Sequence, residues 1–297
     1  MIQLIKTNRE DLITLAVQGE IVPAQVERLY ESTWDGRSKL CIGVGGINYN
    51  LKIGGKVFGW ANGDRAEPGV CTDNSGSAAQ KTSYRTKASL GNEVKMLSGE
   101  AKGHKGMVVG KHGYRLPGGA HHVLVHFNDD MLDNLAIGDK LLIKAAGIGL
   151  KIVGHDDVMV RSVGPNLLEA MGIEDRRGKL EVPVVKEIPH FLMGEGWGTR
   201  AHDSHLGIQT CYPPDIAEYG LEELRFGDVV LLKDILSDYG RHYYRGGGVV
   251  GVVVSGPSDV SGRGIGVCTL LSNKNGKLLP KIDPKANIGR YLGIIGG

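Results

Sequence analysis

The stretch Gly91-Asn92-Glu93-Val94-Lys95-Met96-Leu97-Ser98-Gly99-Glu100-Ala101-Lys102-Gly103-His104-Lys105-Gly106-Met107-Val108 punctuates two short apolar runs with glycines, at the spacing of a tightly bent β-hairpin. Such a segment builds barrels. Its opening recurs as Ile137-Gly138-Asp139-Lys140-Leu141-Leu142-Ile143 and as Phe226-Gly227-Asp228-Val229-Val230-Leu231-Leu232. Each time an apolar residue and a Gly-Asp turn lead into a strand-like run. The architecture is therefore read as mainly β, with two domains built from small barrels or sandwiches, an SH3/KOW-like hairpin and short helices.

Composition agrees. Glycine supplies 46 of 297 residues while aromatics make up only 6%, which suits many turns and close backbone approaches. A chain of this length favours two cores over one. We place a β-rich domain carrying the hairpin at residues 1–165 and a second β-rich domain at 166–297, with the charged stretch Glu174-Asp175-Arg176-Arg177-Gly178-Lys179 as an exposed connection near the junction. With 35 basic and 33 acidic residues, the net charge of +2 supplies no one-signed field, which argues against a dedicated nucleic-acid binder. Cys41, Cys71, Cys211 and Cys268 form no CxxC pair, so neither a zinc knuckle nor a redox motif is visible, and they read as buried thiols in a reducing compartment. The first apolar run stops at Lys6, which is not the pattern of a signal peptide. The longest uncharged run, 246–258, is shorter than the roughly 20 residues of a membrane span. A soluble, cytoplasmic protein is expected.

Along the chain, alternation of apolar and polar residues predicts strands over 12–21 and 47–53, and a long loop from Asn62 to Ser89 that carries Glu67-Pro68-Gly69 and the polar string Thr72 to Ser77. Further strands are expected at His121 to Phe127, after Gly138-Asp139, and at 229–235, 248–254 and 266–271. Two short helices are expected at Pro165 to Met171 and Pro214 to Tyr219, each with proline in the first turn and glycine after the last.

The candidate chemistry lies mostly in the second half. Gly194-Glu195-Gly196-Trp197-Gly198-Thr199-Arg200-Ala201-His202-Asp203-Ser204-His205 sets three ligand or acid–base groups within four positions after alternating glycines. His202 and His205 are the candidate metal ligands for a divalent ion, with no HExxH pattern to fix the metal. His202, Asp203, Asp228, Asp234 and Asp238 are the candidate catalytic residues. Arg241 and Arg263 are assigned to an anionic part of the substrate, with Asp73 and Asn74 as further binding residues. The turn Gly262-Arg263-Gly264-Ile265-Gly266 offers N–H groups and a guanidinium together. On one strand His122 and His126 would stand about 13 Å apart, too far for one ion, so His121, His122 and His126 read as solvent-facing histidines. Gly43-Val44-Gly45-Gly46 precedes a strand-like segment and so lacks the context of a dinucleotide fingerprint, and neither GxSxG nor a P-loop occurs.

The hairpin resembles the KOW motif of ribosomal and transcription-elongation proteins, through Gly91, Val94, Gly99, Lys102-Gly103 and Gly106, with Asn92 where that motif has aspartate. The resemblance implies an SH3-like barrel whose loops touch RNA or protein, and a basic lip of Lys102, His104, Lys105, Lys111 and His112. Nearly the whole chain resembles the two-domain bacterial and archaeal family known as domain of unknown function four-four-three-eight. The matching residues are Gly91 to Gly113, Ile137 to Lys140, Leu192 to Gly196, Gly220 to Asp228, Gly240 to Tyr243 and Gly266-Val267. One departure is Gly262 to Gly266, where the family pattern is Gly-His-Gly-Pro-Gly. The leading expectation is a small-molecule hydrolase acting on an amide-like or other polar group, metal-assisted in the scheme above. The rivals are an RNA- or ribonucleoprotein-binding protein and a ligand-binding oligomer. The expected partners are an unknown small molecule and further copies of the chain, with no membrane, and RNA as the disfavoured alternative.

Overall fold

A computed structural model of the chain describes residues 3–25, 31–39, 45–113, 121–198 and 205–296. The fold is mainly β. Its first half is organised by a closed six-stranded barrel, every neighbouring pair antiparallel, in the order Leu15–Ile21, Val70–Asp73, His121–His126, Lys105–Gly113, Glu93–Met96, Lys140–Ala145 and back to the first strand. The hairpin read from the glycines is thus two adjacent staves. Gly91, Gly99 and Gly103 hold positive φ, the conformation these turns need. Asn92 stands in place of an aspartate because its amide donates to the Ala146 carbonyl (2.9 Å) while its oxygen accepts from Ser89 N–H.

Alternation sorts the staves into two faces. Val17, Ile21, Val94, Met96, Val108, Val123, Val125, Leu141 and Ile143 fill the barrel, whereas Cys71, Val109 and Leu124 belong to the core shared with the second half. The outer face of these strands is therefore covered by protein. Two expectations for this half are corrected. Residues 47–53 form no strand but an irregular segment with one bridge, Ile47 to Val70, and Tyr49 exposed. The expected loop of 62–89 holds the stave Val70–Asp73 and the helix Ala78–Lys87. That helix starts on a capping box between Ser77 and Gln80 and closes one end of the barrel with Tyr84, whose ring occupies the space left by Gly19.

In the second half a six-stranded sheet runs Met159–Val160, Gly264–Asn273, His242–Val253, Val229–Leu236, Lys186–Ile188, with Leu206–Gln209 also paired to Gly264–Asn273. A four-stranded sheet joins Gln3–Leu4, Glu174–Arg176, Lys179–Val184 and Leu278–Ile282. The charged stretch expected as a connection is its hairpin, turned by Arg177 and Gly178, both at positive φ. The two expected short helices are present as Pro165–Ala170 and Pro213–Glu218. Among the described residues, no helix is long and apolar enough to cross a membrane.

Candidate functional site

The loop 62–69 and two barrel strands create a buried polar cluster where the barrel's outer face meets the second half. Asn62 and Arg65 take positive φ, and the loop is pinned by Arg65 N–H on the Pro257 carbonyl (2.8 Å), Gly256 N–H on the Ala66 carbonyl (2.8 Å) and the Ser258 hydroxyl on Asp64 (2.5 Å). Gly69, at φ +76°, passes so close to the Val125 carbonyl that a Cβ would lie 2.7 Å from it. This tight passage turns Glu67 inward just before the chain enters the stave Val70–Asp73.

Glu67, only 1% exposed, is held by imidazoles. Its Oε1 lies 2.6 Å from His112 Nδ1 and its Oε2 lies 2.8 Å from His122 Nδ1. His112 and His122 are a cross-strand pair and so share the barrel's outer face. Oε2 also accepts from Gly45 N–H (2.8 Å) and from the Cys71 thiol (3.0 Å). A second pair abuts the first: His205 packs its ring 4.3 Å from that of His112, accepts from Gly113 N–H on Nδ1 (3.2 Å) and faces Glu195 with Nε2 (3.2 Å). Arg65 and Arg263 each approach Glu195 Oε2 at 3.8 Å.

Burial pushes the Glu67 carboxyl up, but the charge of His122 and the hydrogen bond from His112 outweigh it and hold Glu67 well below the ordinary carboxylate range. Burial likewise opposes charge on His122, yet Glu67 raises it above the usual imidazole value. His205 is lowered to about 4, first by burial and then by the neighbouring His112. His121, on the opposite face of its strand, is lowered well below the ordinary value by burial and then by Arg85. Burial, followed by the Glu67 charge, pushes the Cys71 thiol well up. The cluster therefore combines an ionic Glu67–His122 pair with the imidazoles of His205 and His121, whose burial disfavours their charged forms. Among the described residues, buried His112 Nε2 and both ring nitrogens of buried His121 have no hydrogen-bond partner.

Glycines make room for this junction. A Cβ on Gly266 would lie 2.6 Å from Ser255 Oγ, 3.0 Å from His112 Cδ2 and 3.1 Å from His205 Cδ2, and a Cβ on Gly264 would strike the Ile208 carbonyl. Gly264 thus permits close strand contact, and Gly266 leaves room for the two imidazoles. A cleft of ≈ 400 Å³ adjoins it, lined by Gly45, Asn48, Trp60, Gly63, Ala66 and Glu67 among others.

Several sequence-derived assignments change. His202 and Asp203 lie outside the described residues. His205 reaches the cluster, but with its two nitrogens turned to Gly113 N–H and Glu195 rather than to a shared ion. Asp228 accepts from Arg225 N–H and from Asn287, Asp234 accepts from Gly246 N–H, and Asp238 accepts Arg161 through its carbonyl. None of these three carboxylates bonds to Glu67 or His205: Asp228 holds the entry to the strand Val229–Leu236, Asp234 holds that strand's bulge, and Asp238 Oδ1 is buried without a hydrogen-bond partner among the described residues. Arg241 is buried and donates to the His205 carbonyl (2.6 Å), fixing that residue's backbone instead of meeting a substrate. Arg263 does reach the rim, between Glu31 (3.3 Å) and Glu195. Asp73 is paired with Arg85 in a two-point contact, and Asn74 binds the Gln18 carbonyl (2.8 Å), so both brace the barrel end.

The basic lip divides. Lys102, His104 and Lys105 are exposed, with Lys105 paired to Glu93 (3.1 Å), whereas Lys111 and His112 are buried at the other end of the strand and cannot meet a polyanion. The solvent-facing reading of His121 and His122 is likewise corrected: they are 1% and 2% exposed, because the second half covers one face and the barrel interior the other. Glu67, Cys71 and Glu195 had no assigned role. The signal for His112 and His122 was the antiparallel register of their two strands, which sets them opposite one another.

Comparison with known proteins agrees with this architecture. The chain superposes on the crystal structure of TM1086 with a TM-score of 0.89 and 39% identity, covering 97% of this chain and 99% of that one. No curated protein matches it. The models for the N-terminal and C-terminal parts of a domain of unknown function, DUF4438, match residues 30–169 and 170–292, and the chain belongs to that family.

Proposed function

We propose that the chain is a hydrolase of small polar molecules, amides or chemically similar substrates, and that the Glu67–His112 pair carries the proton transfers. The observation behind this reading is the buried imidazole of His112, with Glu67 Oε1 on Nδ1 at 2.6 Å and Nε2 without a partner among the described residues. A carboxylate on Nδ1 fixes the tautomer and stabilises the imidazolium that forms, leaving the Nε2 lone pair to take a proton from water. His205, stacked at 4.3 Å and lowered to about 4, is a neutral second imidazole beside the first. Glu195, flanked by Arg65 and Arg263, orients it. The adjoining cleft of ≈ 400 Å³ suits a small molecule.

The test is a turnover screen of the full-length chain against small amides, esters and cyclic amides, repeated with His112→Gln. General acid–base catalysis of this kind contributes roughly 10²- to 10⁴-fold, so the variant should lose activity by that factor with KM little changed. Turnover that survives His112→Gln undiminished defeats the assignment.

A further inference from the structure

The geometry points to a divalent-cation site of the zinc type formed by Glu67 Oε2, Cys71 Sγ and His122 Nδ1. One ligand atom from each of these three buried residues lies within 4.8 Å of the others. Two of the contacts are short, 2.8 Å from Oε2 to His122 and 3.0 Å from Oε2 to Cys71. A tetrahedral ion with bonds of about 2.0–2.3 Å separates its ligand atoms by roughly 3.3–3.8 Å, so a small outward relaxation of the three makes room for one. Thiolate, imidazole and carboxylate together select zinc-like ions over magnesium or calcium. Three protein ligands leave a fourth position open, the pattern of an ion that binds water or substrate.

The fold explains why the three meet. Cys71 pairs with Leu124 across adjacent staves, and His122 stands two residues from Leu124 on the same outer face. The Pro68-Gly69 turn brings Glu67 back over that face. A second observation concerns an atom outside the three proposed ligand atoms: Glu67 Oε1 is already taken by His112, whose other nitrogen is buried and unpartnered among the described residues. Carboxylates that ligate an ion are themselves hydrogen-bonded by outer-shell groups, and His112 takes that place on Glu67 Oε1. The chemistry balances: on binding, the Cys71 thiol releases its proton to solvent, and the His122 imidazolium releases the Nδ1 proton it shares with Glu67 and keeps the one on Nε2.

The experiment uses untagged full-length protein, stripped with a chelator and titrated with Co²⁺. The expected result is one equivalent bound, with thiolate-to-cobalt charge-transfer absorption in the near ultraviolet. Cys71→Ser should abolish that band and weaken Co²⁺ binding at least roughly 100-fold, the upper end of the loss seen when outer-shell partners are altered. Cys268→Ser, which removes a buried thiol elsewhere, should retain it. If the stripped chain does not stay folded, the zinc content of freshly purified protein answers the same question: one equivalent in the parent, none in Cys71→Ser. No uptake, or a charge-transfer band that survives Cys71→Ser, overturns the site. Binding without turnover refutes the hydrolase reading alone, whereas turnover with no metal uptake refutes the metal site alone.

Discussion

Two sets of carboxylates divide the molecule. Glu67 and Glu195 sit at the junction of the barrel and the second half and are answered chiefly by side chains: His112, His122 and Cys71 for the first, His205, Arg65 and Arg263 for the second. Asp228, just before the strand Val229–Leu236, accepts from the N–H of Arg225 and from the Asn287 amide, and Asp234, at that strand's bulge, accepts from Gly246 N–H on the neighbouring strand. A carboxylate spent on local N–H groups sets chain direction and has little left for chemistry. One gripped by imidazoles from distant strands holds groups whose protons can move.

Substituting across this divide gives the largest contrast. Glu67→Gln removes the acceptor of a buried charged pair and leaves His122 without its counter-charge, which should cost about 3–5 kcal/mol in urea unfolding and abolish turnover. Asp228→Asn should cost only about 1–2 kcal/mol and leave turnover intact, since its amide can accept one of the two hydrogen bonds, from Arg225 N–H and Asn287, that the carboxylate accepts. Equal losses in the two variants would erase the distinction.

The second contrast is in pH. Folded His205 titrates at about 4 against 6.5 when unfolded, so between those values the unfolded chain binds the extra proton and acidification destabilises the fold, by on the order of 3 kcal/mol when complete. His122 is raised, so its contribution is whole below 6.5 and is lost as pH rises through its folded value. Stability should peak near neutrality and fall on both sides. The groups facing His205 are His112, Glu195 and Arg65, and the acid limb should flatten in His205→Gln while that of Asp234→Asn is unchanged. An unaltered acid limb in His205→Gln would assign the loss elsewhere.

A smaller effect tests the room at the junction. Gly266→Ala places a methyl against Ser255, His112 and His205, and overpacking of this kind costs about 1–3 kcal/mol. Turnover should fall further than stability, because the methyl displaces the imidazoles. Gly246→Ala, in open space but at φ +82°, should lose stability through backbone strain alone and keep its activity.

Local rules made much of the fold legible and little of the site. The barrel hairpin followed from Gly91, Gly99 and Gly103, and the strands after Gly138-Asp139 and Gly227-Asp228 followed from their turns. The helix Ala78–Lys87 was also within reach, since Ser77 and Gln80 have capping-box spacing, but its polar surface and the polar residues before it concealed it. The segment 47–53 alternates like a strand yet has no neighbour along most of its length, so tertiary contacts override the pattern. Glu67 is a different case. Its position depends on Arg65, Ala66 and Asp64 docking on residues 256–258, almost 200 positions away, and no local pattern encodes that contact.

The smallest expected effect concerns the strand Lys105–Gly113, whose two ends differ as sharply as the two sets of carboxylates. Its first end and the turn before it carry Lys102, His104 and Lys105 in solvent, while its last residues, Lys111 and His112, are covered. Lys102→Ala with Lys105→Ala removes two exposed charges and one exposed ion pair, which should change stability by no more than about 0.5 kcal/mol and leave turnover untouched. The same variant tests the RNA alternative, because a phosphate-contacting lip would lose salt-dependent affinity on losing two lysines. Measured at low salt, parent and variant should retain a single-stranded RNA probe equally weakly. Tight retention by the parent, lost in the variant, would move the working surface of this strand from its buried end to its exposed one.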